Sequence, residues 1–370
     1  MSLMTSRPLS RVTAPLLRPL VRFHYGHSHA TGGGGHSHAA EQRVGGELRS
    51  RGHLPPVNAI APTPSGPRVR LALGLETARA VTNVGRALES HAEASLHAFA
   101  DMFESVWHQE GLLWRHAEEN LVWEARTASE ELTSLRARRS LPIAVPSLLS
   151  LTFSDERTAL VKLLGADGRE RYLQMLRLDG IDAMAHDGWQ IVREVVGGDQ
   201  GLPAAAMDGD EAAKRAASVD EIRRLIDAYM AIEHGGGDAD KARASALFDP
   251  RASVLAVGTS PVDEAPSAWS APAGTLLEVS RDTYLDGVAD QTGHAAESAA
   301  HDRVVNVDLL ACGTAAAATL HVGNGACTAL YVDHLLLARD GNAHGDGAWR
   351  ILSKTFSPRP WPAALPATGT

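Results

Sequence analysis

Asp333, His334, His321 and Lys354 are the residues of this chain whose types and spacing could move a proton. Asp333 and His334 interrupt the run 326–339, which is otherwise largely apolar. Strand alternation puts Cys327, Ala329, Tyr331, Asp333, Leu335 and Leu337 on one face, and Thr328, Leu330, Val332, His334 and Leu336 on the other. A buried aspartate needs a partner. The sequence offers two, His321 on the preceding strand-like run and Lys354 on the following one. With His321, Asp333 would form a catalytic acid/base pair, with Tyr331 or Tyr229 as hydrogen-bond donor and burial drawing the pKa values toward the working pH. With Lys354 it would form a cross-strand salt bridge, leaving His334 to face solvent or a subunit interface. The expected ligand-contacting set is Tyr229, Tyr331, Trp349 and Lys354.

The elements that must position these groups are legible around them. Ser218 with Glu221 three residues on reads as a capping box. Ile222, Leu225, Ile226 and Tyr229 follow at helical spacing, and Gly235-Gly-Gly237 stops the helix. A short helix, 239–248, leads through Asp249-Pro250 into a strand over 252–257. A Pro-rich excursion, 261–272, precedes a strand over 276–279 and a helix capped by Ser280 that carries Tyr284, Leu285 and Val288. Strands are expected at 303–310, 314–322, 326–339 and 348–356. Helices first, then antiparallel strands joined by Gly turns, is an α+β pattern.

The same strand–turn–strand pattern stands earlier in the chain. Tyr172 to Gly180, a turn, and Gly188 to Val196 parallel Tyr331 to Gly341, a turn, and Ala348 to Phe356, with Tyr-to-Trp spacings of 17 and 18 residues. Both second strands open on Trp-x-Ile, so the chain is expected to hold two tandem domains of one type. In the first, a helix is expected over 76–103 with a break at Gly111, a strand over 121–124, a helix starting at Thr127, and strands over 147–153, 158–164, 171–178 and 189–196. Aligning Tyr172 on Tyr331 sets Gln174 where Asp333 stands, which makes the first domain the degenerate copy. Trp107, Trp114 and Trp123 are expected in a core or a domain interface. The boundaries follow: 1–40 targeting and Gly/His-rich, 41–70 linker, 71–200 first domain, 201–217 linker, 218–358 second domain, 359–370 tail.

The ending Asp346-Gly-Ala-Trp-Arg-Ile-Leu-Ser-Lys-Thr-Phe356 resembles the close of the nuclear-transport-factor-2-like superfamily, in its putative lumazine-binding and SnoaL-like branches, which end on Trp-x-Ile-x-x-Lys-x-Phe. In the first copy Lys354 and Phe356 become Glu194 and Val196. The resemblance implies two α+β cones, each a curved antiparallel sheet with N-terminal helices packed on it, and sheets set face to face. It names no reaction. Carbonic anhydrases of the iota type share tandem cones, but their His-rich C-terminal motif is missing after Trp349.

Length and charge exclude other classes. The chain has 370 residues, a net charge of −9 and no long basic stripe, which argues against nucleic-acid partners. No run approaches about 18 consecutive apolar residues, so no membrane span is expected. Two cysteines, Cys312 and Cys327, exclude a disulfide framework or four-cysteine zinc site. P-loop, dinucleotide and His-Glu-x-x-His motifs are absent, and no cofactor or metal is expected. Residues 1–40 lack Asp and Glu, and on a helical wheel Arg7, Arg11, Arg18 and Arg22 fall within about 60° of one another. That describes a mitochondrial transit peptide, with a plastid address as the alternative because of Pro8, Pro15 and Pro19. The Gly-His-Ser-His units at 26–29 and 35–38 read as flexible linker.

The expectation for function is binding of a small apolar or aromatic ligand or of a partner protein, with the ligand site in the second domain. The alternatives are an isomerase, cyclase or dehydratase using Asp333 with His321, and an accessory subunit of a mitochondrial assembly. A homo-oligomer or a protein-complex partner fits an open sheet face of this fold.

Overall fold

The computed structural model describes residues 12–13, 66–97, 100–117, 122–137, 147–165, 167–180, 186–197, 209–234, 238–260, 268–289, 299–323, 329–339 and 347–360. The Gly-His-Ser-His units, Cys327, the expected helix stop at Gly235–Gly237 and the tail beyond Pro360 lie outside them, as does the segment expected to be a transit peptide except at Val12 and Thr13. The chain divides into two compact units, residues 23–80 and a larger one of Met1–Arg22 with Val81–Thr370. All strands of both repeats lie in the larger unit.

The repeat is confirmed strand by strand. In the first domain, α1 (Gly66–His97) and α2 (Ala100–Val106) precede β2 (Trp107–Ala117), β3 (Val122–Thr127), α3 (Ala128–Ala137), β4 (Ser147–Phe153), β5 (Thr158–Leu164), β6 (Glu170–Arg177) and β7 (Trp189–Val196). In the second, α4 (Gly209–Glu233) and α5 (Asp238–Leu247) precede β8 (Phe248–Val257), β9 (Leu276–Ser280), α6 (Arg281–Ala289), β10 (Arg303–Leu309), β11 (Ala315–Gly323), β12 (Ala329–Arg339) and β13 (Trp349–Pro360). The sheets run β4-β5-β6-β7-β2-β3 and β10-β11-β12-β13-β8-β9, one order twice over. Both are antiparallel except at one parallel pair, β2 with β7 and β8 with β13. The first sheet gains an edge strand, β1 (Val12–Thr13), paired with Leu151 and Ser150, so these two residues are extended where the Arg spacing suggested helix.

Local signals explain where several elements begin. Thr127 and Glu130 form a reciprocal cap on α3, each side-chain oxygen accepting the other's backbone N–H at 2.7 and 3.3 Å. Ser280 Oγ accepts the Thr283 N–H at 3.2 Å and starts α6. The capping box expected at Ser218 is not a start, because α4 begins at Gly209 and Ser218 is buried in its interior. Residues 209–217 are helix rather than linker, as are 66–70. β13 runs to Pro360, into the expected tail. Gly111 does not break a helix; it sits inside β2, a strand the pattern did not suggest.

Each sheet is covered on both faces. Ile222, Ile226 and Tyr229 of α4 and Tyr284 and Leu285 of α6 pack with Leu320, Leu335 and Ile351 on one face of the second sheet. Its other face meets the first sheet, where Trp114, Trp123, Tyr172 and Val195 pack against Ala317, Leu336 and Leu352. Several polar groups on this inter-sheet layer are paired, while Trp114 Nε1 is buried without a hydrogen-bond partner among the described residues. Gln174 donates to the His334 carbonyl at 2.8 Å and accepts from Ser353 Oγ at 2.7 Å. Arg193 donates to Ser253 Oγ at 2.6 Å and pairs with Glu278. Trp123 Nε1 donates to the Arg339 carbonyl at 2.9 Å. His334, expected at solvent or a subunit interface, is fully buried between the two domains of one chain, with Nδ1 3.0 Å from Thr319 Oγ1.

Burial, with Arg359 and His321 nearby, drives the His334 pKa down to about 3. A histidine lowered in the folded state takes its proton only on unfolding, so it costs stability as pH falls below its ordinary value of 6.5. His334→Gln is therefore expected to flatten the loss of thermal stability between pH 7 and pH 5. Melting curves across that range check it, and a slope equal to wild type would contradict this account of His334.

Candidate functional site

The second cone ends on five polar side chains in an otherwise apolar core. Tyr229 and Glu233 stand one helical turn apart on α4, so both point the same way. Tyr284 comes from α6, Asp333 from β12 and Lys354 from β13. Strict alternation would not place Lys354 on the same face as Trp349 and Ile351. A bulge does: Leu336 pairs with Ser353 and Leu337 with Ile351, so Leu352 is the extra residue. Leu352 and Ser353 turn to the inter-sheet layer, and Lys354 and Phe356 turn back under the helices.

The Lys354 ammonium donates to Glu233 Oε1 at 2.9 Å and lies 3.1 Å from Asp333 Oδ2. It also donates to the Tyr229 hydroxyl and sits 5.1 and 5.4 Å from the centres of the Tyr229 and Tyr284 rings. The Tyr229 oxygen is 2.7 Å from Asp333 Oδ2 and 2.7 Å from Glu233 Oε1. Tyr284 donates its hydroxyl proton to Glu233. One phenol proton cannot serve two carboxylates at once, so closing both Tyr229 contacts calls for a protonated carboxyl.

The surroundings push the two carboxyls in opposite directions. Burial raises the Asp333 pKa, and Glu233 adds to it, beyond what Lys354 and the hydrogen bonds from Tyr229 and Lys354 recover. Burial also acts to raise Glu233, but Lys354 and hydrogen bonds from Tyr284, Tyr229 and Lys354 overcome it and hold the group below its ordinary value. Lys354 is disfavoured by burial and restored by Asp333 and Glu233, ending well above its usual range. Lys354 thus stands between one carboxyl shifted up and one shifted down. Asp333 Oδ1 is buried with no hydrogen-bond partner.

Three of the six residues singled out in the sequence thus meet: Asp333, Lys354 and Tyr229. Tyr331 flanks them, its ring 5.7 Å from that of Phe356. Trp349 is buried farther along β13 beside Ile351 in the apolar core. His321 does not join Asp333. In the β11–β12 register Leu320 faces Asp333 and His321 faces Val332, so the imidazole and the carboxyl lie on opposite faces of the sheet. His321 Nδ1 instead accepts from Arg303 at 2.9 Å; burial, with Arg303 and Arg359, lowers its pKa to about 4. Glu233 and Tyr284 were missed. The Tyr229/Glu233 spacing of one turn was the available signal for the first; only the fold brings the second.

The first cone carries the same design with its charges exchanged. Lys354 of the second sheet corresponds to Glu194 of the first, and the residue two places from Lys354's partner Leu335 is Asp333, as the residue two places from Glu194's partner Leu173 is Arg171. Arg171 and Glu194 are joined at 2.8 Å. His91 of α1 approaches Glu194 at 3.7 Å and accepts the Trp107 indole N–H at 3.2 Å. The counterpart of Asp333 is therefore Arg171. Gln174 corresponds to Leu336, and aligning the two tyrosines slipped the register by three residues.

With this geometry in view, the comparisons with known proteins separate the two halves. Residues 217–357 match the putative lumazine-binding family. The match takes in α4 from its middle and nearly all of β13, and with them all five residues of the cluster, but no part of the first domain. Solved structures of nuclear-transport-factor-2-like proteins of unknown function are also similar. That from Silicibacter pomeroyi is 19% identical, with 39% of this chain and 98% of the other covered and a TM-score of 0.28. That from Methylobacillus flagellatus is 20% identical, with 42% and 96% covered and a TM-score of 0.28. That from Shewanella baltica is 19% identical, with 38% and 96% covered and a TM-score of 0.29. No curated protein matches. Two α+β domains with the same strand order are the architecture that the resemblance implied. Among the described residues no helix is long and apolar enough to cross a membrane, and no group of three or more His, Cys, Asp and Glu could hold a metal.

Removing the cation of this cluster leaves two buried carboxyls facing each other. Lys354→Met is expected to destabilise the chain by about 3–5 kcal/mol, and Lys354→Met with Asp333→Leu to recover most of that loss. Denaturant unfolding of both variants checks it; equal losses would mean that the ion pair contributes little.

Proposed function

We propose that the protein binds a small, flat, apolar or aromatic molecule in the second cone, over the Asp333–Lys354–Tyr229–Glu233–Tyr284 cluster. The observation that carries this is a handful of convergent polar groups, one with an unengaged buried oxygen, at the base of an otherwise apolar core. The family description of residues 217–357 points the same way. Asp333 would offer Oδ1 to a donor on the ligand, Lys354 and Tyr229 would fix the carboxyl, and Tyr331 and Phe356 would provide the aromatic wall. His321, on the other face, has no part in this site.

A catalytic version keeps the cluster and replaces the partner. Proton transfer would run between Asp333 as acid and Glu233 as base through Tyr229, in an isomerase, cyclase or dehydratase type of reaction. What favours it is the opposed pKa shifts of the two carboxyls. The acidic-poor, Arg-bearing first forty residues favour a mitochondrial site of action, with a plastid as the alternative.

Native mass spectrometry of the chain purified from its own organism, before and after denaturation, tests the binding proposal. A small molecule released in stoichiometric amount from wild type, and lost in Asp333→Asn, is expected. A ligand-free mass accompanied by co-purifying subunits would sink the proposal in favour of an accessory role in an assembly.

A further inference from the structure

The first domain contains a cavity that the second-cone site leaves unused. It has a volume of about 520 Å³ and lies between α2, the start of β2, α3 and Gln190 of β7. Cavities of this size are in the range that holds small ligands. It lies where β2 departs from its partner. Trp107 pairs with Ile191, yet the next residue in register is Leu112, opposite Arg193, so residues 108–111 bulge away from β7. The bulge is held from both sides. Arg193 Nη1 donates to the Glu110 carbonyl at 3.1 Å, and Gly111 packs so closely that a Cβ there would come within 2.8 Å of the His108 carbonyl and of the Trp107 ring.

The walls and the polar groups together define a ligand class. Phe103 and Trp107 line the cavity as a stacked pair, their rings 10° from parallel and 5.6 Å apart, with Leu132 on the α3 side. Gln190, 5% exposed, lines it too, and its Oε1 has no hydrogen-bond partner. Glu104 adds a carboxylate at the exposed side. His108 Nδ1 accepts the Glu110 N–H at 3.2 Å, so in the neutral ring the proton is on Nε2. Burial, and Arg193 against the pull of Glu110 and Glu278, lowers the His108 pKa and keeps that ring neutral. A flat π-surface framed by an amide oxygen and a carboxylate suits a planar molecule rich in N–H donors and disfavours an anion.

We propose that the bulge of β2 frames a second binding site, for a neutral planar heteroaromatic amine stacked on the Phe103–Trp107 pair and hydrogen-bonded to Gln190 Oε1. The site is independent of the second cone. It shares no residue with the cluster around Asp333; the second domain repeats the register break between β8 and β13, but the unpartnered Gln190 amide belongs to the first domain.

2-Aminopurine is the probe, because it is neutral, planar and donor-bearing, and stacking on an indole quenches its fluorescence. Titrated with the full-length chain, it is expected to show saturable quenching. Gln190→Leu and Ser129→Trp, which fills the cavity from an exposed position on α3, are each expected to weaken it about tenfold, while Asp333→Asn leaves it unchanged. The carboxylate 2-naphthoate is expected neither to bind nor to compete. Thermal melts confirm that each variant is folded. Absence of saturable quenching, wild-type affinity in both cavity variants, or loss of binding in Asp333→Asn alone would overturn the inference.

Discussion

The central strands of both sheets are buried on both faces, and most of what is distinctive in this chain follows from that constraint. All eight residues of β7 are buried. A strand with no solvent side cannot alternate apolar with polar, and it reads as a nearly continuous apolar run. Polar side chains on it depend on partners inside the protein, which Arg193 and Glu194 find and Gln190 Oε1 does not. The two faces solve this differently. The inter-sheet layer combines neutral contacts, such as Gln174 with Ser353 and His334 with Thr319, with one charged pair, Arg193 with Glu278. The helix-covered face uses full charges gathered in clusters, Asp333 and Glu233 around Lys354 in one cone and Arg171 with Glu194 in the other.

One bulge makes that division possible. The register shift falls at Leu352 in β13 and, in the first domain, at Val192 in β7. Beyond it the side-chain parity reverses, so that Trp349 and Lys354, five residues apart, share a face. Ser353 and Arg193, one residue before the charged positions, are thereby turned to the other sheet, where each joins the two domains. A single extra residue therefore aims both the cone cluster and the inter-sheet contact.

The architecture was legible in the sequence because it rests on periodicity and punctuation. The Tyr and Trp landmarks, the Gly turns and the Thr127 and Ser280 caps are local signals, and they located most of the strands and two helix starts. The helix start at Gly209 escaped because Ser218 carries the residue types of a cap inside a helix that continues through it. β2 escaped because its bulge breaks the period that identifies a strand. For the site, Asp333, Lys354 and Tyr229 stood out as polar oddities in apolar runs. Their true partners Glu233 and Tyr284 lie on helix ends whose direction only tertiary packing fixes. The pairing with His321 failed on parity alone: adjacent strands brought the two residues within one register step, and one step reverses the face.

The exchanged charges of the two cones bear on how a tandem repeat avoids assembling wrongly. Two copies with one strand order could trade their closing hairpin strands during folding, a common failure of repeated domains. In a hybrid of β6 with β13, Arg171 would stand beside Lys354; in the complementary hybrid, Asp333 would stand beside Glu194. Each would bury a like-charged pair away from water, where the native pairing buries opposite charges. The reversal of sign thus labels each strand with the domain to which it belongs.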